Sequence, residues 1–250
     1  MHIDILTLFP DMFVGPFDQS MIKRAREAHI VEIELFDIRA FALDKHKTTD
    51  DYPYGGGAGM IMKPEPIVRC LDHVRHLREG LDGEVVLLSP QGALFSQKVA
   101  KELAAKEHLV LICGHYEGID ERIYEYVDRE VSIGDYVLTG GEIPAMVVVD
   151  VVCRLLPGVL GSGPAGAMDD SIAHGLLEHP QYTRPREFAG HEVPEVLLSG
   201  HHAQIELWRR KESLRRTLLK RPELLQAAPL EERDQKLLQE IREEEGLLET

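Results

Sequence analysis

EVVLLSPQGALFSQKVAKELAAKEHLVLICGHYEGIDER, from Glu84 to Arg122, decides how the chain folds. Its two apolar runs, Glu84 to Ser89 (EVVLLS) and His108 to Cys113 (HLVLIC), are short, continuous and rich in Val, Ile and Leu. Such runs suit central strands covered on both faces. Between them, Ser96 to Glu107 has helical spacing, with Val99, Leu103 and Ala104 on one side and lysines elsewhere. Strand, helix and strand in this order predict parallel pairing.

The pattern extends in both directions. Ile3 to Phe9 is an apolar-rich strand ending at Pro10, and Ile30 to Ile38 (IVEIELFDI) alternates with the period of a half-buried strand. Glu142 to Leu156 reads as a helix with Pro144 in its first turn, a position open to proline, and Pro157 stops it. From Gly158 to Ser171 (GVLGSGPAGAMDDS) glycine and alanine dominate and no period survives, as in a flexible linker. Beyond it no central strand is evident, and Leu198 to Leu219 and Leu230 to Leu248 are the best helices. The expectation is an α/β domain over residues 1–160 with a mostly parallel sheet, a linker over 161–175 and a small helical domain over 176–250.

The 250 residues are enough for a sizeable core. No run approaches the roughly 18 apolar residues of a membrane helix, and Met1 to Asp4 shows no secretory n-region. Cys70, Cys113 and Cys153 are odd in number and far apart, which fits a reducing cytoplasm and excludes a disulfide framework. The net charge of −15 argues against DNA or any other nucleic acid if taken whole, but its distribution is uneven. Arg209 to Arg221 (RRKESLRRTLLKR) holds seven bases and one acid, whereas Pro222 to Thr250 holds nine acids and three bases. The plain reading of that acidic tail is a charged surface helix.

Three apolar strands lead into glycine-containing turns: Leu88 to Gly92, Cys113 to Arg122 and Ser132 to Glu142. Ligands collect at the carboxyl ends of parallel strands, and glycine there lets backbone groups approach a small molecule. Any one of these would pass as an ordinary turn; together, two of them dense in glycine with charged or aromatic neighbours, they point to a ligand site. Tyr54 to Met60 (YGGGAGM) fits neither the phosphate loop nor the dinucleotide fingerprint, which disfavours ATP and NAD. The pairs His73/His76 and His201/His202 lack partners at ligand spacing, so no metal ligands are assigned.

HYEGIDER (115–122), SIGDYVLTGGE (132–142), RLLPGVLG (154–161), HPQYTRP (179–185), DDYPYGGGAGM (50–60) and EVPEVLLSGHHAQIELWR (192–209) together resemble the bacterial tRNA (guanine-N1)-methyltransferases of the SPOUT superfamily. The resemblance spans nearly the whole chain apart from the acidic tail. It implies an α/β fold with a deep trefoil knot, a rare exception to unknotted connections. It also implies S-adenosylmethionine as methyl donor, Mg2+, the tRNA anticodon arm as partner, and a homodimer whose active sites draw on both subunits. The cofactor residues it implies are Ser89, Gly114, Tyr116, Ile133, Gly134, Asp135, Tyr136, Val137, Leu138, Gly140 and Gly141. For tRNA it implies His46, Asp50, Gly57 and Gly59, and the basic stretch adds Arg209, Arg210 and Arg215 as phosphate contacts.

Neutral guanine carries a proton on N1, so methylation there needs a base, and the charge that spreads to O6 needs a cation or donor. The resemblance assigns the base to the Asp before Ser171, which is Asp170, with Asp169 the adjacent alternative. It places Arg154 at O6, a task magnesium could share, and makes Glu117 a positioning residue. Without the resemblance, the two acids are solvated loop residues and Arg154 complements a helix end. Two rival readings are a superfamily relative acting on a ribose 2′-hydroxyl or ribosomal RNA, and an RNA-binding module without catalysis.

Overall fold

The apolar runs become neighbours in one parallel sheet. In chain order the first part of the molecule holds β1 (His2–Thr7), α1 (Ser20–Glu27), β2 (Glu32–Asp37), β3 (Asp50–Asp51), β4 (Ile61–Met62), α2 (Pro64–Leu77), β5 (Gly83–Leu94), α3 (Gln97–Ala104), β6 (His108–Cys113), β7 (Arg129–Ser132) and α4 (Glu142–Leu155). The main sheet has the order β2-β1-β6-β5-β7, and every pairing in it is parallel. β3 and β4 form a separate antiparallel ladder. The computed structural model describes residues 1–160, 172 and 175–247. It divides into two units, Met1–Pro164 and Ala165–Thr250.

Period-two alternation sends successive strand residues to opposite layers. Ile3, Ile5, Val86, Leu88, Leu109 and Leu111 pack with Ile22 of α1, Leu103 of α3 and Val148 and Val152 of α4. Leu6, Val85, Leu87, Val110 and Ile112 pack with Ile67, Leu71 and Val74 of α2. The strands read as continuous apolar runs because helices cover both faces, and each such side chain fully buried contributes roughly 1.5–3 kcal/mol. Ser96 caps α3, its Oγ accepting from Val99 N at 3.4 Å. The expected turn at Leu88–Gly92 is part of β5: the strand continues to Leu94, and its register with β7 shifts between Leu88 and Ala93.

The second unit holds a hairpin of β8 (Glu187–Phe188) and β9 (His191–Glu192), then α5 (Glu195–Leu198), α6 (His202–Lys220), α7 (Pro222–Ala227) and α8 (Glu232–Glu244). Its core is aliphatic: Leu176, Leu214, Leu237, Leu238 and Ile241. Among the described residues no helix is long and apolar enough to cross a membrane. All three cysteines are free and buried, and burial pushes the Cys70 and Cys153 thiols up to about 12, so they serve as packing groups.

On the α2 face of the sheet Asp4 is fully buried, beside its register partner Glu34. Arg78, just past the end of α2, donates to Asp4 through Nε and Nη2 (both 3.0 Å) and to Glu34 (2.7 Å), and His108 Nε2 donates to Asp4 Oδ2 (2.9 Å). Burial raises the Asp4 carboxyl, but the hydrogen bonds from His108 and Arg78 and the charge of Arg78 outweigh it and hold the group below the ordinary 3.8. A carboxyl lowered in the folded state stabilises above its unfolded value, and that contribution is lost as pH falls through the folded value. Arg78→Met is therefore expected to destabilise by about 3–5 kcal/mol at neutral pH, since it leaves a buried charge without its partner. In urea unfolding, the gap to wild type should narrow as pH falls towards the lowered folded value of Asp4, and a gap that ignores pH would refute this account.

Candidate functional site

Two glycine turns meet at the carboxyl end of the sheet. Gly141 N donates to Gly114 O (2.8 Å), and His115 and Gly140 form an antiparallel bridge. A Cβ on Gly141 would lie 2.7 Å from Cys113 Cα, so only glycine allows this approach. Between these turns and the irregular part of β5 lies a cavity of about 280 Å³, near the lower end of ordinary ligand pockets. Of the eleven cofactor positions expected from the sequence, all but Asp135 line it. Asp135 is exposed, whereas the Tyr136 ring folds back over Gly134 and its hydroxyl donates to Ile133 O (3.2 Å).

Behind the Gly140–Gly141 turn sits a buried carboxylate that sequence reasoning passed over. Glu142, 1% exposed in the first turn of α4, accepts from Thr7 Oγ1 at 2.7 Å. An acid there is favoured by the helix dipole, and this one also joins α4 to the end of β1. Its second oxygen lies 3.9 Å from His115 Nδ1, a buried nitrogen with no hydrogen-bond partner among the described residues. The His115 ring sits between Phe9 and Tyr116, with centroids at 4.8 and 5.1 Å. Burial, and then the Glu142 charge, push the Cys113 thiol well above its ordinary value, so it presents no thiolate. On the cavity wall, burial and a hydrogen bond to Glu130 (2.8 Å) push Tyr124 up to about 12, leaving a neutral phenol.

The glycine loop after β3 is stitched to the same turns by backbone. Glu117 N donates to Met60 O (3.1 Å), Met62 N to Gly118 O (2.9 Å) and Asp120 N to Met62 O (3.0 Å). Gly59, at φ +83°, lies so close to the Glu117 side chain that a Cβ would collide with its Cγ and carboxyl group. Glu117 therefore both lines the cavity and rests on the loop that the sequence associated with the target nucleotide. Gly57 lies in that exposed loop, Asp50 begins the ladder that carries it, and His46 is exposed nearby in sequence, its N donating to Asp44 Oδ2 (2.9 Å).

Among the described residues, the cavity wall carries Glu117 and Glu121 but no lysine or arginine. A cavity of that sign suits a ligand with positive charge and opposes one with phosphates. S-adenosylmethionine, a nucleoside bearing a sulfonium and an ammonium group, fits this donor set. Among the described residues no three His, Cys, Asp or Glu side chains converge as metal ligands, so magnesium finds no ready-made site.

Arg154 is exposed in the last turn of α4. Twelve residues separate it from Glu142, about 18 Å along a straight helix, so one chain does not bring it to its own cavity. Asp169 and Asp170 lie outside the described residues.

In the second unit the basic stretch is not open along its length. Arg210 donates to Asp234 (2.8 and 2.6 Å), and Lys211 reaches Glu240 (2.9 Å) and Glu244 (2.8 Å). Arg215 reaches Glu212 (3.0 Å), Glu244 (2.6 Å) and Glu245 (2.5 Å), and Arg209 pairs with Glu206 (3.0 Å). The two charge blocks of the sequence thus meet each other. The acidic tail is an integral helix, α8, with Leu237, Leu238 and Ile241 in the core, and its acids occupy Arg210 and Arg215, which the sequence offered to phosphate.

The model of the family described as tRNA (Guanine-1)-methyltransferase TrmD matches residues 1–227. A tRNA (guanine-N(1)-)-methyltransferase of Desulforudis audaxviator is 64% identical over 241 residues, covering 96% of each chain. Those of Dictyoglomus turgidum and Geobacillus kaustophilus are 57% and 58% identical, covering 98% of this chain and 98% and 99% of theirs. The cavity, the glycine turns and the loop resting on Glu117 all lie within the matched span, and with identity this high over nearly the full length the chain belongs to the tRNA (Guanine-1)-methyltransferase TrmD family.

Proposed function

We propose that the chain transfers a methyl group from S-adenosylmethionine to N1 of the guanine immediately 3′ of the anticodon in tRNA, and that it works in the cytoplasm. The observation that carries this reading is a cavity free of lysine and arginine whose wall residue Glu117 also contacts the Gly55–Gly59 loop, so that donor and target sites adjoin. The return of the 133–141 segment onto Cys113–His115 supports the trefoil knot.

S-adenosylmethionine, when bound, supplies a methyl group on positively charged sulfur. The chain's own residues ready the acceptor. Asp170, on the 161–175 stretch, takes the N1 proton, and the charge that then develops on O6 is met by the Arg154 guanidinium. Glu117 orients the base. The target guanine leaves its stack to reach the cavity, which the loop carrying Gly57 and Gly59 accommodates. Residues 176–250 hold the anticodon arm.

Because α4 carries Arg154 away from the cavity at its own N-terminus, the complete site needs a second copy of the chain. Ile143 and Val147, one turn apart and exposed on α4, together with exposed Val137 and Leu138, supply apolar surface for that contact.

With labelled S-adenosylmethionine and unmodified tRNA, the expected product is N1-methylguanosine; a ribose-methylated nucleoside, or binding without transfer, would refute the reading. Asp170→Ala is expected to keep cofactor affinity and lose about 10²–10⁴-fold in turnover. A near wild-type Asp170→Ala beside a dead Asp169→Ala would move the base by one residue. Gly59→Ala displaces the Glu117 carboxyl as well as straining the loop at φ +83°, so its loss of kcat/KM should shrink in a Glu117→Ala background, with a coupling of at least about 1 kcal/mol. Strictly additive losses would show that the Gly59–Glu117 contact does not join loop and cavity.

A further inference from the structure

The second unit keeps its aromatic rings out of its core. That core is aliphatic, whereas Tyr182 is 48% exposed, Phe188 is exposed and Trp208 is only partly buried. Burying an aromatic ring is among the largest apolar gains open to a small helical unit, so rings held at its surface suggest recognition. Two rings gather around Trp208. His179 lies 6.3 Å and Tyr182 6.4 Å from it, centroid to centroid, at interplanar angles of 60° and 51°. At those separations and tilts the rings meet by their edges, and their faces are not stacked on one another.

The cluster is held in place. Ser213 Oγ donates to Leu177 O (2.5 Å) and Leu177 N donates to Thr217 Oγ1 (2.9 Å), which ties the chain leading into His179 and Tyr182 to the middle of α6. Charge favours the same region. Arg210, Lys211 and Arg215 turn towards the acids of α8, whose side of the unit repels a polyanion. Arg209 and Arg216, seven residues apart, share a stripe of α6 about 80–100° round the helix from Trp208, and Arg216 Nη1 donates to Glu178 O (3.5 Å), next to His179. Arg209 is engaged only in a surface pair with Glu206, the kind that exchanges readily for phosphate.

We propose that His179, Tyr182 and Trp208 form a stacking platform for an unpaired base of the RNA substrate, with Arg209 and Arg216 meeting the flanking phosphates. Every base has a π face, so such a platform adds affinity without reading sequence. This inference rests on the tRNA reading above and adds to it the place where the second unit grips an unstacked nucleotide.

Trp208 is the sole tryptophan, so its emission reports on this site alone. Titrating the full chain with an anticodon stem-loop RNA should quench that emission, and Tyr182→Ala should raise the midpoint about tenfold. Trp208→Ala should raise KM for tRNA about tenfold with kcat and S-adenosylmethionine affinity unchanged, and Trp208→Phe should restore most of the loss. Unchanged emission at saturating RNA, or a wild-type KM in Trp208→Ala, overturns the platform while methyl transfer to tRNA still supports the functional reading. A wild-type chain that transfers no methyl to tRNA brings down both.

Discussion

At the centre of the first unit two stretches of backbone meet with no side chain between them. Gly140–Gly141 lies against Cys113–His115 at a distance that a Cβ would forbid, and much of the site follows from that contact. It starts α4 at the carboxyl end of the sheet, which places Glu142 in the interior where Thr7 can satisfy it. It also makes the 133–138 segment the wall of a cavity whose far side is the irregular end of β5. A bulkier residue at position 141 would separate the turns and widen the cavity, and it would withdraw Glu142 from its partner.

The sequence was most legible where one face of an element was enough to describe it. The runs at 84–89 and 108–113 announced strands buried on both sides, and the glycines at strand ends coincide with a cavity at the carboxyl end of the sheet. Where structure depends on partners far along the chain, the signal was absent. β3 and β4 are two residues each, too short for any period; Met62 of β4 donates to Gly118 O and accepts from Asp120 N, and β3 pairs with β4. Glu142 reads as an ordinary helix-start acid; its burial depends on Thr7, 135 residues away. The same limit applies to β5, whose turn-like Ser-Pro-Gln-Gly is absorbed by a register shift that only the edge strand β7 makes possible.

Charge shows this limit in another form. The formal −15 speaks against an RNA partner, and the basic stretch of α6 speaks for one. Neither sum describes the surface, because α8 neutralises three of the cations and leaves α6 with two unlike sides. Opposite charge blocks were visible in the sequence, but which side chains paired was set by the aliphatic core that packs α8 on α6. Hydrophobic packing thus decides which basic side chains remain for a ligand, since buried apolar contacts fix the helix pair and the ion pairs follow at its rim.

A rigid helix also sets how the proposed chemistry can be assembled. α4 begins beside the cavity and carries Arg154 in its last turn, and helical rise sets the distance between them. No side-chain rearrangement shortens a packed helix whose inner face includes Val148, Val149 and Val152, all fully buried. If Arg154 is the group that meets charge on O6, that charge must develop near the far end of some α4, and the helix in question belongs to another copy. The acidic cavity of one chain and the cation of its partner would then approach the guanine from two sides. On the proposed reading, that division would keep a guanidinium away from the sulfonium until the substrate lay between them, and so would avoid the like-charge repulsion of a single-chain site.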